Sequence, residues 1–154
     1  GVAVAVTAFV IGIRLRDGDP SGTTAAIEST GTVTTTAGAT AATVPEAFVG
    51  EWKGVARDGL VAFDIVLTIR NGAVGEEVAQ SSNTGKVSGS RCERAETLTE
   101  AAENELTFVA RLSGGAADCM DDGATSTVRL LPDGTLSYRT PGMIGAIEGV
   151  LHKG

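Results

Sequence analysis

Clusters of basic residues are missing from this sequence. Twelve Lys and Arg face nineteen Asp and Glu, for a formal net charge of -7. No Lys/Arg stripe runs along any segment, which argues against binding along a phosphate backbone. Aromatics are nearly as scarce, with one Trp, one Tyr and four Phe. Stacking platforms for single-stranded nucleic acid are therefore missing, and aliphatic residues must fill the core. There is one histidine, His152. It has no second histidine for a metal site, and no Gly-x-Ser-x-Gly turn offers it a nucleophile. It reads as a solvated residue near the end of the chain. No catalytic residue, metal-ligand set or cofactor motif is assigned.

What is present falls into three zones, and the length of 154 residues fits one domain with a tail. The first residue is Gly rather than Met, as expected of a fragment or a processed product. Residues 1–15 read "GVAVAVTAFVIGIRL", apolar until Arg14. That run is shorter than the ~20 residues that span a bilayer. It fits a buried strand, a signal-peptide core, or the outer end of a membrane helix that begins upstream. The last is the expectation for residues 1–16, although Arg14 and Arg16 favour a cytoplasmic flank. Residues 17–46 are dominated by Thr, Ala, Ser and Gly without periodicity. Large apolar side chains are too few there to offset the entropy of ordering, so a flexible stalk is expected.

Residues 47–154 have a different texture. "FDIVLTI" alternates, with Phe63, Ile65, Leu67 and Ile69 on one face and Asp64, Val66 and Thr68 on the other. "ELTFVARL" does the same with Leu106, Phe108, Ala110 and Leu112. Asp58-Gly59, Asn71-Gly72 and Pro132-Asp133-Gly134 supply turns, Asn71-Gly72 as a tight two-residue hairpin. Strands are expected at about 49–57, 60–70, 73–81, 86–98, 105–113, 123–131, 135–140 and 145–152, with at most one helical turn near 100–104. An all-β antiparallel up-and-down meander of eight strands leaves two edges exposed unless it closes into a small barrel. A two-sheet sandwich is the alternative.

Trp52 sits between Gly50 and Gly54 on the first strand. Gly50, Trp52, Gly54 and Ala56 share a face, so the indole is expected to point inward as structural core, with the glycines leaving it room. Cys92 and Cys119 are the only cysteines. An even count after an apolar N-terminus points to one disulfide outside the cytoplasm; two reduced core residues are the other reading.

Gly50-Glu51-Trp52 resembles the Gly-x-Trp that opens the first strand of lipocalin-like barrels, although the Thr-Asp-x-x-Tyr motif of that family is absent. A wider set of residues spans most of 47–154: Gly50, Trp52 and Gly54, the alternating second strand, Val74-Gly75, Cys92, Cys119, and Asp133 to Tyr138 in "DGTLSY". This set resembles the extracytoplasmic C-terminal domain of actinobacterial receptor-type serine/threonine protein kinases. The resemblance implies a single-pass membrane protein with this domain outside the cell and a kinase domain upstream. The kinase motifs themselves do not occur in this chain.

Other polar features have plain readings. The acidic residues in "DCMDDG", 118–123, lack calcium-loop spacing and read as a solvated loop. Glu93, Glu96, Glu100, Glu103 and Glu105 read as a solubilising surface rather than paired catalytic carboxylates. Gly114-Gly115 reads as slack in a loop before Cys119. "SSNTGKVSGS", 81–90, reads as a hairpin, with Ser88 and Ser90 as the candidate ligand mouth. The functional expectation is a non-catalytic sensor or binding domain whose partner is an unidentified extracytoplasmic ligand or envelope component. A secreted or anchored protease inhibitor and a structural spacer are the alternatives.

Overall fold

A computed structural model describes residues 42–154. The expected membrane segment and nearly all of the expected stalk lie outside the described residues. No helix among the described residues is long and apolar enough to cross a membrane.

Eight strands follow a short 3-10 turn at Glu46–Phe48: β1 Gly50–Asp58, β2 Val61–Ile69, β3 Glu77–Gly85, β4 Arg91–Ala101, β5 Glu105–Gly115, β6 Thr125–Leu130, β7 Leu136–Pro141 and β8 Ala146–Lys153. Each pairs antiparallel with its sequence neighbours, and β8 pairs with β1 to close the barrel. Closure leaves no unpaired edge, which is the physical reason an eight-strand meander takes this form.

The alternation of β2 sets the inner phase: Ile65, Leu67 and Ile69 are buried while Asp64 is exposed. Register then carries that phase around the wall, with Trp52 opposite Leu67, Leu67 opposite Ser81 and Ser81 opposite Arg94. Because neighbouring strands alternate in direction, the barrel has two distinct rims. The connections at 70–76, 102–104 and 131–135 share the lower rim with both ends of the described chain. Those at 59–60, 86–90, 116–124 and 142–145 share the upper rim.

The lower half is filled by aliphatic side chains around Trp52, including Leu67, Ile69, Leu98, Leu136 and Leu151. Phe48 and Val44 plug this end, and the indole Nε1 donates to the Phe48 carbonyl at 2.8 Å. Lys153 places its ammonium 5.0 Å from the ring centroid, a cation–π contact.

Several expectations need correction. The folded unit begins before residue 47. Val44 is buried, its N–H donates to Gly72, and Val74 donates to Ala42, so the last stalk residues belong to the barrel. Asn71-Gly72 is not a tight hairpin. The segment 70–76 bulges to pair Ala73 with Thr43, and β3 starts at Glu77 rather than near residue 73. No helical turn forms near residue 100: β4 runs through Ala101, and a short turn closes by Ala102 donating to Glu105. Gly114 and Gly115 are strand residues paired with Glu93 and Cys92, not loop slack.

Gly54 is small for a different reason than room for the indole. A Cβ there would stand 2.2 Å from the Val150 carbonyl oxygen, and one on Gly149 would stand 2.2 Å from that of Val55. The group that approaches is the backbone of the partner strand, at the closing seam. Gly54→Ala and Gly149→Ala should each destabilise by about 1–3 kcal/mol, because the seam must open to admit a methyl. Gly145→Ala, with nothing within 4 Å, is the neutral control. Urea unfolding of the three variants reads the difference.

Candidate functional site

The upper half of the interior combines apolar residues, among them Ala56, Ile65 and Ile147, with a polar cluster. From Ala79 onward the inward positions of β3 are Ala79, Ser81, Asn83 and Gly85, all small or polar. A close-packed barrel must fill the space they leave with long side chains from other strands. Arg94 on β4 and Tyr138 on β7 do so, and both are 1% exposed.

Arg94 is held on several sides. Its Nε donates to Ser81 Oγ at 2.9 Å and its Nη2 to the Tyr138 hydroxyl at 2.6 Å. Glu96 Oε1 lies 3.6 Å from Nε and accepts from Ser81 Oγ at 2.7 Å. Asp121 reaches in from the upper rim. Its Oδ2 accepts from Asn83 Nδ2 at 3.2 Å and stands 3.6 Å from Arg94 Nη1. Nearby, Ser126 donates to Thr140 Oγ1 at 3.0 Å.

Two atoms of this constellation, Arg94 Nη1 and Glu96 Oε2, are shut from solvent and make no hydrogen bond, although Arg94 Nη1 keeps its ion-pair contact with Asp121. Orphaned groups of this kind are costly, roughly 1–3 kcal/mol each and more when charged. One is a donor and the other an acceptor. A molecule presenting a carbonyl or hydroxyl oxygen beside an N–H or O–H would satisfy both.

Burial governs the electrostatics. It is the largest influence on Glu96 and pushes its carboxyl above the usual range, against the opposing pull of Arg94 and the Ser81 hydroxyl. It acts to lower Arg94, but Tyr138, Glu96 and Asp121 outweigh it and leave the guanidinium held as the cation. The Tyr138 phenol is also raised, chiefly by burial, and accepts from Arg94 as the neutral hydroxyl.

Asp121 is the loop-borne member. Its loop, residues 116–124, is pinned by the Cys92–Cys119 disulfide and by Asp122 Oδ1, which accepts from the Leu112 N–H at 2.9 Å. A second tie joins the rim elsewhere: Asp58, buried at the end of β1, accepts from the Ile144 N–H at 3.0 Å.

The disulfide forms between the two expected cysteines. Ser88 and Ser90 lie in the β3–β4 turn at the upper rim, where Ser88 Oγ accepts from the Ser90 N–H. They do not join the buried cluster; Ser81 and Asn83, earlier in the same stretch, do. Glu96 is not a surface residue, being 1% exposed. Asp121 likewise turns inward, whereas Asp118, Met120, Asp122 and Gly123 are exposed as expected. Glu93 and Glu105 form exposed pairs with Arg91 and Arg129, while Glu100 and Glu103 are exposed. His152 is exposed on β8 opposite Lys53. Among the described residues, no group of three or more His, Cys, Asp or Glu is placed to hold a metal ion.

The Arg94 cluster was missed because charged side chains on a strand are ordinarily assigned outward. Breaks in register between Glu93 and Arg94, and between Leu98 and Glu100, further blur the alternation of β4. The available signal was β3, whose small inward residues require large ones opposite.

Two outcomes follow. Because the folded value of Glu96 is raised, its protonated form favours the folded chain. That contribution is complete below the unfolded value of about 4.3, and it is lost as pH rises through the higher folded value. Melting temperature measured across this window should fall relative to Glu96→Gln, which keeps position 96 uncharged throughout. Cys92→Ala/Cys119→Ala, which opens a loop with a sequence separation of 27, should cost about 3–4 kcal/mol. It should also expose residues 116–124 to limited proteolysis.

No family model, no curated protein and no solved structure matches this chain, so the reading of the site rests on its own geometry.

Proposed function

We propose that the barrel is a non-catalytic, extracytoplasmic binding domain of a membrane-anchored receptor, the sensor portion of a serine/threonine protein kinase. The observation that carries the binding reading is the incomplete constellation of Arg94 and Glu96 beneath the upper rim. A buried guanidinium whose Nη1 makes no hydrogen bond, beside a carboxyl group whose Oε2 makes none, supports a recognition role. Its hydrogen bonds to Ser81 and Tyr138 and its ion-pair contacts with Glu96 and Asp121 hold it in one orientation. Asp121 covers it from a loop, so a ligand enters by displacing or joining that carboxylate. The outward-facing placement is supported by the disulfide, which persists in oxidising compartments. The kinase context is supported by the resemblance carried by Gly50, Trp52, Gly54, Val74, Gly75, Cys92, Cys119 and the segment from Asp133 to Tyr138.

The ligand class that fits is small and polar, with adjacent hydrogen-bond acceptor and donor, as in an amide or an amino sugar. A sensor must bind it better in one state than in another. The test is a thermal-shift screen of the chain against soluble cell-wall fragments, amino sugars and amides. A ligand at 100 times its Kd adds about 2.7 kcal/mol, a rise on the order of 10 °C for a domain of this size. The rise should shrink in Asp121→Asn and vanish in Arg94→Gln. A rise that survives Arg94→Gln would move the site elsewhere. Silence across the screen would favour a spacer, with water completing the cluster.

A further inference from the structure

The upper rim carries a second feature, independent of the buried cluster. Among the described residues, the most exposed large apolar side chains are Leu60 at 99%, Val87 at 101%, Met120 at 80%, Met143 at 94% and Ile144 at 76%. All five lie on upper-rim connections, and every upper-rim connection has at least one. The lower-rim connections carry none of them. Turn tips ordinarily hold Gly, Asn, Asp or Ser. Scattered exposed aliphatics are normal on a protein surface, but their confinement to one end of a barrel is not scatter.

We propose that the upper rim seats on a lipid surface, with these five side chains inserted among the acyl chains just below the headgroups. Exposed charges flank two of the four connections' tips: Lys86 precedes Val87, and Asp122 stands two residues after Met120. A protein partner covering the rim would have to desolvate these charges together with the tips, and interface cores are depleted of charge for that reason. A bilayer imposes no such condition. Single aliphatic side chains enter the hydrocarbon boundary while the charges beside them stay among hydrated headgroups. The tips also stand on separate connections around a ring, which suits a fluid that conforms to each one.

The two methionines of the chain, Met120 and Met143, are both among the tips and act as built-in reporters. The full chain is exposed to chloramine-T, a polar oxidant, with and without phosphatidylcholine vesicles, and sulfoxide at each methionine is followed by mass spectrometry. Flotation of the vesicles reports membrane association of the whole chain. Insertion should slow oxidation of both methionines about fivefold or more, since the thioether leaves water. Leu60→Ser/Val87→Ser/Ile144→Ser should abolish most of that protection while leaving both reporters in place. Flotation with unchanged oxidation rates would mean that the N-terminal segment alone holds the chain, and would overturn the proposal while sparing the anchoring reading. Neither flotation nor protection would overturn it as well. Protection seen only with an envelope protein fraction would replace the lipid with a protein partner.

Discussion

Strand β8 runs so near β1 that a Cβ on Gly54 or Gly149 would collide with a backbone carbonyl of the other strand. That approach turns a meander into a barrel. Six residue pairs register across the seam, from Glu148 opposite Arg57 to Lys153 opposite Trp52. Once the wall closes, inside and outside are defined for every strand, and each inward side chain meets others from across the interior. Trp52 is enclosed only because β8 stands beside it, and Tyr138 reaches Arg94 only because β7 is drawn round by β8. Loosening the seam would therefore release the apolar floor and the polar cluster of the upper half together.

The interior divides its work between these halves. The lower one follows ordinary burial energetics, with aliphatic side chains and one indole whose N–H is satisfied by the Phe48 carbonyl. The upper one holds a buried cation against two carboxylates and a phenol, an arrangement that adds little net stability compared with apolar packing. The Nη1 of that cation makes no hydrogen bond and meets only the Asp121 carboxylate at ion-pair distance.

Legibility in the sequence followed chemical type. β2 and β5 alternate aliphatic with polar residues and could be placed with their faces assigned, because apolar periodicity reports burial directly. Trp52, Cys92 and Cys119 were identifiable as single residues of strong preference. β4 was legible as a strand but not as the bearer of the site, because Arg94 and Glu96 carry the charge that normally marks an outer face. The stalk boundary was obscured by the same ambiguity in reverse: Val44 sits in a Thr- and Ala-rich run, and only the three-dimensional position of Gly72 makes its burial worthwhile. Asp121 could not be distinguished from its acidic neighbours without knowing which way the loop folds.

The folded unit receives the chain at Ala42 on its lower rim, while the proposed contacts with ligand and lipid lie on the upper one. A pull between those two points would run along the strand axes. Ladder hydrogen bonds lie across the strands, so such a load would shear the bonds flanking β1 together rather than unzip them singly. A domain held in this orientation is stiff toward tension, and displacement at one rim would reach the other with little loss.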